Sequence, residues 1–551
     1  MKNFTFSKKY VNNDEEIEIL QNSSNKSQKE RKKTKLSFSY IFIISILIFI
    51  IISFFIFLYL KIYFKESKII TNLQYKSQTN FTSLNNSNNI NISNNIEIEI
   101  PDKSIKYNEN IENQTLLNKS QIIINDSFLI NNYNNGKIGV AFVFECLYGN
   151  GIGRMLSLLC SELAKLEKYD IYMITGPSYK IDFPFDKRVI KVPIIKNKTL
   201  IEKYDKSSNI KIYVLQNDLA PSSIRWYQNL NGGKKVIGIV HGVYMSSIFA
   251  NFTGVYSIWK NNQLYDAYIQ VNADDYYVNK RLGINNSFFL PNLYTFDPDT
   301  TPNSNLTYNN LLIIGRELDR IKGGMYGVKA MDIVRREIPD AKLYMISANG
   351  KVKFLEDLIK ELNLTKNIKI ISLTKNISKY LLNTSVFINP SLSEACPMVI
   401  NEAKAYGLPI VGFNVSYSFP YQTGVITAQV TNYTQMAEEI IKLLKDYNYR
   451  KKKGFEAKES MKLISNKEIV YKWTQLFDVL INNDIEGYKK LQESTFDKKY
   501  YDEEKARDHL ESNWNQGKIF NKYFCCHDFN DMLNITYINN IKGCKNQSLC
   551  K

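Results

Sequence analysis

The chain has 551 residues and a formal net charge of +17, from 71 Lys and Arg against 54 Asp and Glu. That length suggests more than one domain with a sizeable core. The Lys excess is scattered through a chain biased to Asn, Ile and Tyr, as an A+T-rich coding sequence would give, so bulk charge does not argue for a nucleic-acid partner.

The one dense basic run, "KSQKERKKTK" at 26–35, is followed at 36–60 by "LSFSYIFIISILIFIIISFFIFLYL", which has no charged residue. That run is long enough to cross a bilayer as one helix and lacks the polar face of a buried core helix. It is too long for a cleaved signal peptide, and "KIYFKESK" after it offers no small-residue cleavage pattern. The expectation is a single-pass type II protein: a cytosolic basic tail at 1–35, a transmembrane signal anchor at 36–60, and the bulk of the chain in the lumen of the Golgi or endoplasmic reticulum. Lys61, Lys65 and Lys68 on the far flank make the charge asymmetry less than complete. Residues 61–136 read as a disordered Asn-rich stem. Acceptor triplets for glycosylation at Asn80, Asn85, Asn91, Asn113, Asn118 and Asn125 support a lumenal address only weakly in so Asn-rich a chain.

At Lys137 the texture changes to "KIGVAFVFECLYGNGIGRMLSLLCSELAKL", a strand, a Gly-rich turn and a helix. Strands are expected at "DIYMIT", "KIYVLQ", "KVIGIV" and "DAYIQV", with room for crossover helices between them. The alternation stops among the Pro and Asn of 288–310. It then restarts with "NLLIIG", a helical "GVKAMDIVRREIP", "AKLYMIS", "KFLEDLIKELN", "NIKIIS", "SVFINP" and "PIVGF". The fold class is therefore α/β: two doubly wound Rossmann-like domains, 137–303 and 304–484, joined near Pro302 and facing a cleft where ligands of such folds bind.

After "SVFINP" the stretch "SLSEACPMVINEAKAYGLPIVG" carries Glu394 and Glu402. A helix starting near Pro397 puts Glu394 in the preceding loop and Glu402 about 7.5 Å along the helix axis. The open N–H groups around residues 395–399 suit a phosphate, with sugar hydroxyls at Glu394 and a ribose diol at Glu402.

These residues resemble the glycosyltransferases of family four, with the GT-B fold, whose mark is Glu, seven residues, Glu and an "EA..G.P" continuation. Glu394, Glu402, Ala403, Gly407 and Pro409 match it in order, with Ala395-Cys396 where Gly-Phe is common. The "IIGRELDRIKGG" segment matches the relatives' pair that holds the donor diphosphate, at Arg316 and Lys322, with a gap one residue longer than in many members. The resemblance covers about 137–484. It implies a retaining transferase that moves a sugar from a nucleotide sugar, UDP- or GDP-linked, to a glycan, glycoprotein or glycolipid acceptor, without an obligatory metal or other cofactor. Glu394, His241, Arg316 and Lys322 are then the catalytic candidates. Arg316, Lys322, Glu394, Cys396, Pro397, Met398, Val399 and Glu402 line the donor, with Gly151 and Gly153 of "GNGIGR" near its phosphates. That Gly-rich turn has the wrong spacing for a dinucleotide signature and also reads as a structural turn, just as His241 also reads as a structural histidine.

"DPD" at 297–299 imitates a metal-binding Asp-x-Asp but sits among turn residues, and no metal is assigned to it. The extension 485–551 holds Cys525, Cys526, Cys544 and Cys550, which permit three connectivities, two of them free of a strained adjacent bridge. Disulfides suit an oxidising lumen, and zinc on these thiolates and His527 is the rival. Cys146, Cys160 and Cys396 read as free thiols. The alternative to an enzyme is a membrane-anchored carbohydrate-binding or scaffolding protein with an inert donor site.

Overall fold

The computed structural model describes residues 136–520, apart from 146, 148–149, 177–182, 217–218, 244–259, 317, 319–320, 348–351, 373, 375, 419–423 and 495–500. These all belong to one compact unit, Ser120–Lys551. The basic tail, the expected membrane span, the stem, Cys146 and the four cysteines with His527 lie outside the described residues. Among the described residues no helix is long and apolar enough to cross a membrane.

The apolar runs rich in Val and Ile form the strands β1 (Ile138–Val143), β2 (Tyr169–Ile174), β3 (Ile190–Val192), β4 (Ile210–Gln216), β5 (Lys235–Val240), β6 (Ala267–Gln270) and β7 (Ser287–Phe289). They pair in parallel in the order β3-β2-β1-β4-β5-β6-β7. Helices α1 (Gly151–Lys165), α2 (Lys198–Ser207), α3 (Pro221–Gln228) and α4 (Ala273–Arg281) lie among their connections. Side chains alternate across β1. Val140 and Phe142 enter one buried cluster and Ala141 and Val143 the other, so both faces of the sheet are covered.

The second sheet has β8 (Asn310–Gly315), β9 (Lys342–Ser347), β10 (Ile368–Ser372), β11 (Val386–Asn389), β12 (Ile410–Phe413) and β13 (Val425–Ala428), in the parallel order β10-β9-β8-β11-β12-β13. Helices α5 (Gly324–Glu337), α6 (Lys353–Glu361), α7 (Ile377–Leu382), α8 (Met398–Ala405), α9 (Tyr433–Lys445) and α10 (Tyr447–Ser460) accompany it. Strand order reverses between β1 and β4 in the first sheet and between β8 and β11 in the second. At such switch points the loops diverge and leave a crevice beyond the strands' carboxyl ends.

The chain then returns to the first sheet. Helix α11 (Asn466–Ile481) sets Trp473 against Phe142 and Phe477 against Tyr169, with ring centroids 6.4 and 5.5 Å apart. Helix α12 (Ile485–Ser494) places Tyr488 on Phe288 at 4.9 Å and donates from Gln492 to the carbonyls of Asn285 and Ser287. In α13 (Glu503–Phe520), His509 pairs with Asp274 of α4 at 3.0 Å. Helices on both sides of residue 484, the expected end of the second domain, pack against the first sheet. Sequence period shows that such helices have an apolar face, but not which sheet receives it.

Candidate active site

Two loops at the second sheet's switch point are stitched together. After β8, Gly315 lies so close to Lys322 that a Cβ on it would come within 3.1 Å of the Lys322 Cβ. Gly323, at φ +61°, meets the other loop: a Cβ there would stand 2.0 Å from the Pro390 carbonyl oxygen. The Leu392 amide donates to the Ile321 carbonyl at 2.8 Å, closing the seam. Its chemical product is the ion pair of Lys322 Nζ and Glu394 Oε1 at 2.6 Å, with the Glu394 side chain 6% exposed.

Beyond Glu394 the backbone is fixed from outside. Ser416 Oγ donates to the Ala395 carbonyl at 3.1 Å, and Asn292 Nδ2 donates to the Cys396 carbonyl at 3.2 Å. Helix α8 then begins at Met398, after an extended Pro397 that offers no side-chain cap. The Ile400 amide donates back to the Pro397 carbonyl at 3.3 Å, so the N–H groups that this end can offer an anion or water are those of Met398 and Val399. Cys396 and Met398 are buried and Val399 half-buried at this end. The Cys396 thiol is pushed up to about 12 by burial, so it stays a neutral lining group.

The first sheet supplies the facing wall. Asn150 caps α1 by accepting from the Gly153 amide at 2.6 Å, and Gly153 packs on Leu147, whose carbonyl oxygen a Cβ would approach to 2.9 Å. A Cβ at Gly151 would meet nothing within 4 Å, so space rather than packing surrounds it. Arg154, one residue past Gly153, reaches across the cleft to Glu402: Nη1 and Oε1 are 3.0 Å apart. Thr295 Oγ1 donates to the same oxygen at 3.0 Å. Burial pushes the Glu402 carboxyl up, against the pull of Arg154 and Thr295, and the net direction is upward.

His241 follows β5 and shares a 2.8 Å hydrogen bond, through Nε2, with Gln216 Oε1 at the end of β4. Burial lowers its pKa to about 4, so the ring is neutral at physiological pH and works as a hydrogen-bonding group. Arg316 stands exposed just past β8 and makes no ion pair among the described residues.

The structure thus brings Lys322 to Glu394, while Glu402 is held from the opposite domain and His241 from the end of β4. No hydrogen bond or ion pair joins His241 to Lys322 or Glu394 among the described residues. Asp299 of "DPD" pairs with Lys462 at 3.2 Å. Among the described residues no group of three or more His, Cys, Asp and Glu is placed to hold a metal. Arg154, Thr295, Asn292, Gln216 and Ser416 were not legible as site residues. Arg154 lies in the Gly-rich turn at the start of α1, but no spacing rule ties it to an acid in another domain, and Thr295 lies in the Pro- and Asn-rich connector.

Residues 300–460 match the family described as Glycosyl transferases group 1. An uncharacterized glycosyltransferase of Haemophilus influenzae is 32% identical over 111 residues, 20% of this chain and 31% of that protein. The N-acetyl-alpha-D-glucosaminyl L-malate synthase of Bacillus anthracis is 27% identical over 153 residues, 26% of this chain and 38% of that protein. Each match spans about a third of the curated relative's length. The sucrose-phosphate synthase of Thermosynechococcus elongatus superimposes with a TM-score of 0.52 at 16% identity, over 63% of this chain and 100% of its own. At that identity the likeness shows the fold, a GT-B-like pair of parallel sheets.

Proposed function

We propose that the chain is a glycosyltransferase that takes a sugar from a nucleotide-sugar donor and retains its anomeric configuration. The observation that carries this reading is the Lys322–Glu394 pair, set beside the open N-terminus of α8 at a switch point. The family match over 300–460 and the named glycosyltransferase relatives support it.

In this reading Lys322, Arg316 and the α8 N-terminus meet the donor diphosphate and take the charge that grows on it as it departs. Lys322, held by Glu394, suits this step because a preorganised cation needs no reorganisation when the bond breaks. Glu394 accepts from hydroxyls of the transferred sugar, and Glu402 from the ribose. Cys396, Pro397, Met398 and Val399 line the donor, and the open space at Gly151 lets the β1–α1 backbone approach the phosphates, while Gly153, packed on Leu147, shapes that turn. Neutral His241 donates or accepts near the sugar. An acceptor hydroxyl attacks the anomeric carbon on the face the diphosphate leaves: the new glycosidic bond forms, the bond to the diphosphate breaks, and a diphosphate oxygen takes the hydroxyl proton. No metal ion is assigned a part. The acceptor belongs to a glycan, glycoprotein or glycolipid, and residues 36–60 anchor the enzyme with its catalytic part in the Golgi or endoplasmic reticulum lumen.

The test is a panel of UDP- and GDP-sugars, read by thermal stabilisation and by slow hydrolysis. A donor at 100 times its dissociation constant should stabilise by about 2.7 kcal/mol and be hydrolysed. Stabilisation with no turnover, in the presence of any acceptor glycan, would favour the inert binding protein instead.

A further inference from the structure

The contact at Glu402 joins the two domains. Arg154 comes from the first turn of α1 and Glu402 from α8, and their 3.0 Å pair is covered, with the Glu402 side chain 1% exposed and the Arg154 side chain 20%. The guanidinium lies over two rings, 5.2 Å from the centroid of Phe183 and 5.8 Å from that of Phe296. Packing of this kind holds a long side chain in one geometry. On the carboxylate, Oε1 takes both Arg154 and Thr295, whereas buried Oε2 has no hydrogen-bond partner among the described residues. Among the described residues, Arg154 is the charged group that acts on Glu402. Lys404, two residues further along α8, bonds Ser460 of α10.

We infer that Arg154 is a positioning residue of the donor site: from the opposite domain it holds Glu402 as an oriented carboxylate, with Oε1 fixed, so that a ribose hydroxyl entering the cleft meets an ordered acceptor. The ribose rests on the nucleotide-sugar reading above; the control of Glu402 by Arg154 does not. With the cleft parted, water solvates Glu402 and keeps it ionised. When the cleft closes, a lone buried carboxylate takes up a proton in preference to staying charged. Arg154 closes with the cleft, so it lets the acid be buried and remain a strong acceptor.

The test uses the full chain with Arg154→Met, Arg154→Lys, Glu402→Gln and the Arg154→Met/Glu402→Gln double variant, and UDP and GDP as probes between pH 5.5 and 8.5. Arg154→Met should weaken binding of the preferred nucleotide by about 10-fold at the acid end, equal to one pH unit of proton competition, and recover as pH rises. Arg154→Lys should restore much of it. In the Glu402→Gln background Arg154→Met should add little, because no charge remains to support. A loss that is the same at every pH, or equal in both backgrounds, overturns the inference. Melting of the ligand-free proteins supplies a readout without nucleotide. The double variant should be more stable than Arg154→Met alone at neutral pH, since it removes an acid that must otherwise take up a proton to be buried. If neither nucleotide binds the wild type, the donor reading fails, and this melting comparison still decides whether Arg154 sustains Glu402. A double variant no more stable than Arg154→Met overturns it.

Discussion

Replacing Gly323 with Ala should part the two loops that carry Lys322 and Glu394. Gly323 has φ +61°, where an L side chain costs about 1–2 kcal/mol. The added Cβ would stand 2.0 Å from the Pro390 carbonyl oxygen. Carbon and carbonyl oxygen come no closer than about 3.3 Å without repulsion, so the loops must separate by more than about 1 Å. Overpacking of that kind adds about 1–3 kcal/mol, for a total destabilisation of about 2–5 kcal/mol. The functional loss should be larger than stability alone explains, because a 1 Å misplacement of a positioned group can cost about 100-fold in rate. Gly283→Ala is the control: its φ is +74° but nothing lies within 4 Å of the new Cβ, so it bears the backbone cost alone. Thermal melting and donor hydrolysis on both variants check the reasoning. Equal stability and equal turnover in Gly323→Ala and Gly283→Ala would refute it.

Two further predictions concern buried ionisable groups. Burial lowers the Lys404 pKa from 10.5 to about 7, so the unfolded chain binds this proton where the folded chain does not. That contribution to stability is present above about pH 10.5 and lost as pH falls toward 7, at about 1.4 kcal/mol per pH unit within the window. Lys404→Met should flatten the slope of stability against pH between 7.5 and 9.5, and a slope unchanged in chemical denaturation would contradict it. For His509, burial opposes the charged ring, but the Asp274 carboxylate and the Asn414 backbone outweigh it and the pKa stands above its usual value. Its contribution is fully present below about pH 6.5 and fades as pH rises through the folded pKa. His509→Gln should therefore cost more at pH 5.5 than at pH 9, by up to about 3 kcal/mol for a buried pair. Equal losses at the two pH values would count against the charged pair.

The sequence made the longer strands visible because fully buried parallel strands need unbroken apolar runs, as in "KIGVAFV" and "NLLIIG". It concealed β3 and β7, each three residues long at a sheet edge, and β13, whose four residues are mostly half-exposed. The second domain's share of the candidate site was legible because local backbone chemistry brings its residues together: Gly323 permits the seam that pairs Lys322 with Glu394, and Pro397 precedes the helix start. The first domain's share was not, since Arg154 and Glu402 meet only when the two sheets face each other. Thr295 and Asn292 were hidden for a related reason: the connector between the sheets reads as turn residues, yet it packs as the wall of the cleft. The same limit applies to α11, whose Trp473 and Phe477 advertise an apolar face without naming the sheet it covers.

If Lys322 and Arg316 neutralise a departing diphosphate, as proposed, steady-state turnover of the preferred nucleotide sugar measured beside donor affinity reveals it most directly. Lys322→Ala and Arg316→Ala, confirmed as folded by melting, should each lower kcat by about 100-fold while the donor dissociation constant changes by much less, because these contacts strengthen as charge moves onto the diphosphate. Turnover near the wild-type value in both variants would rule that role out.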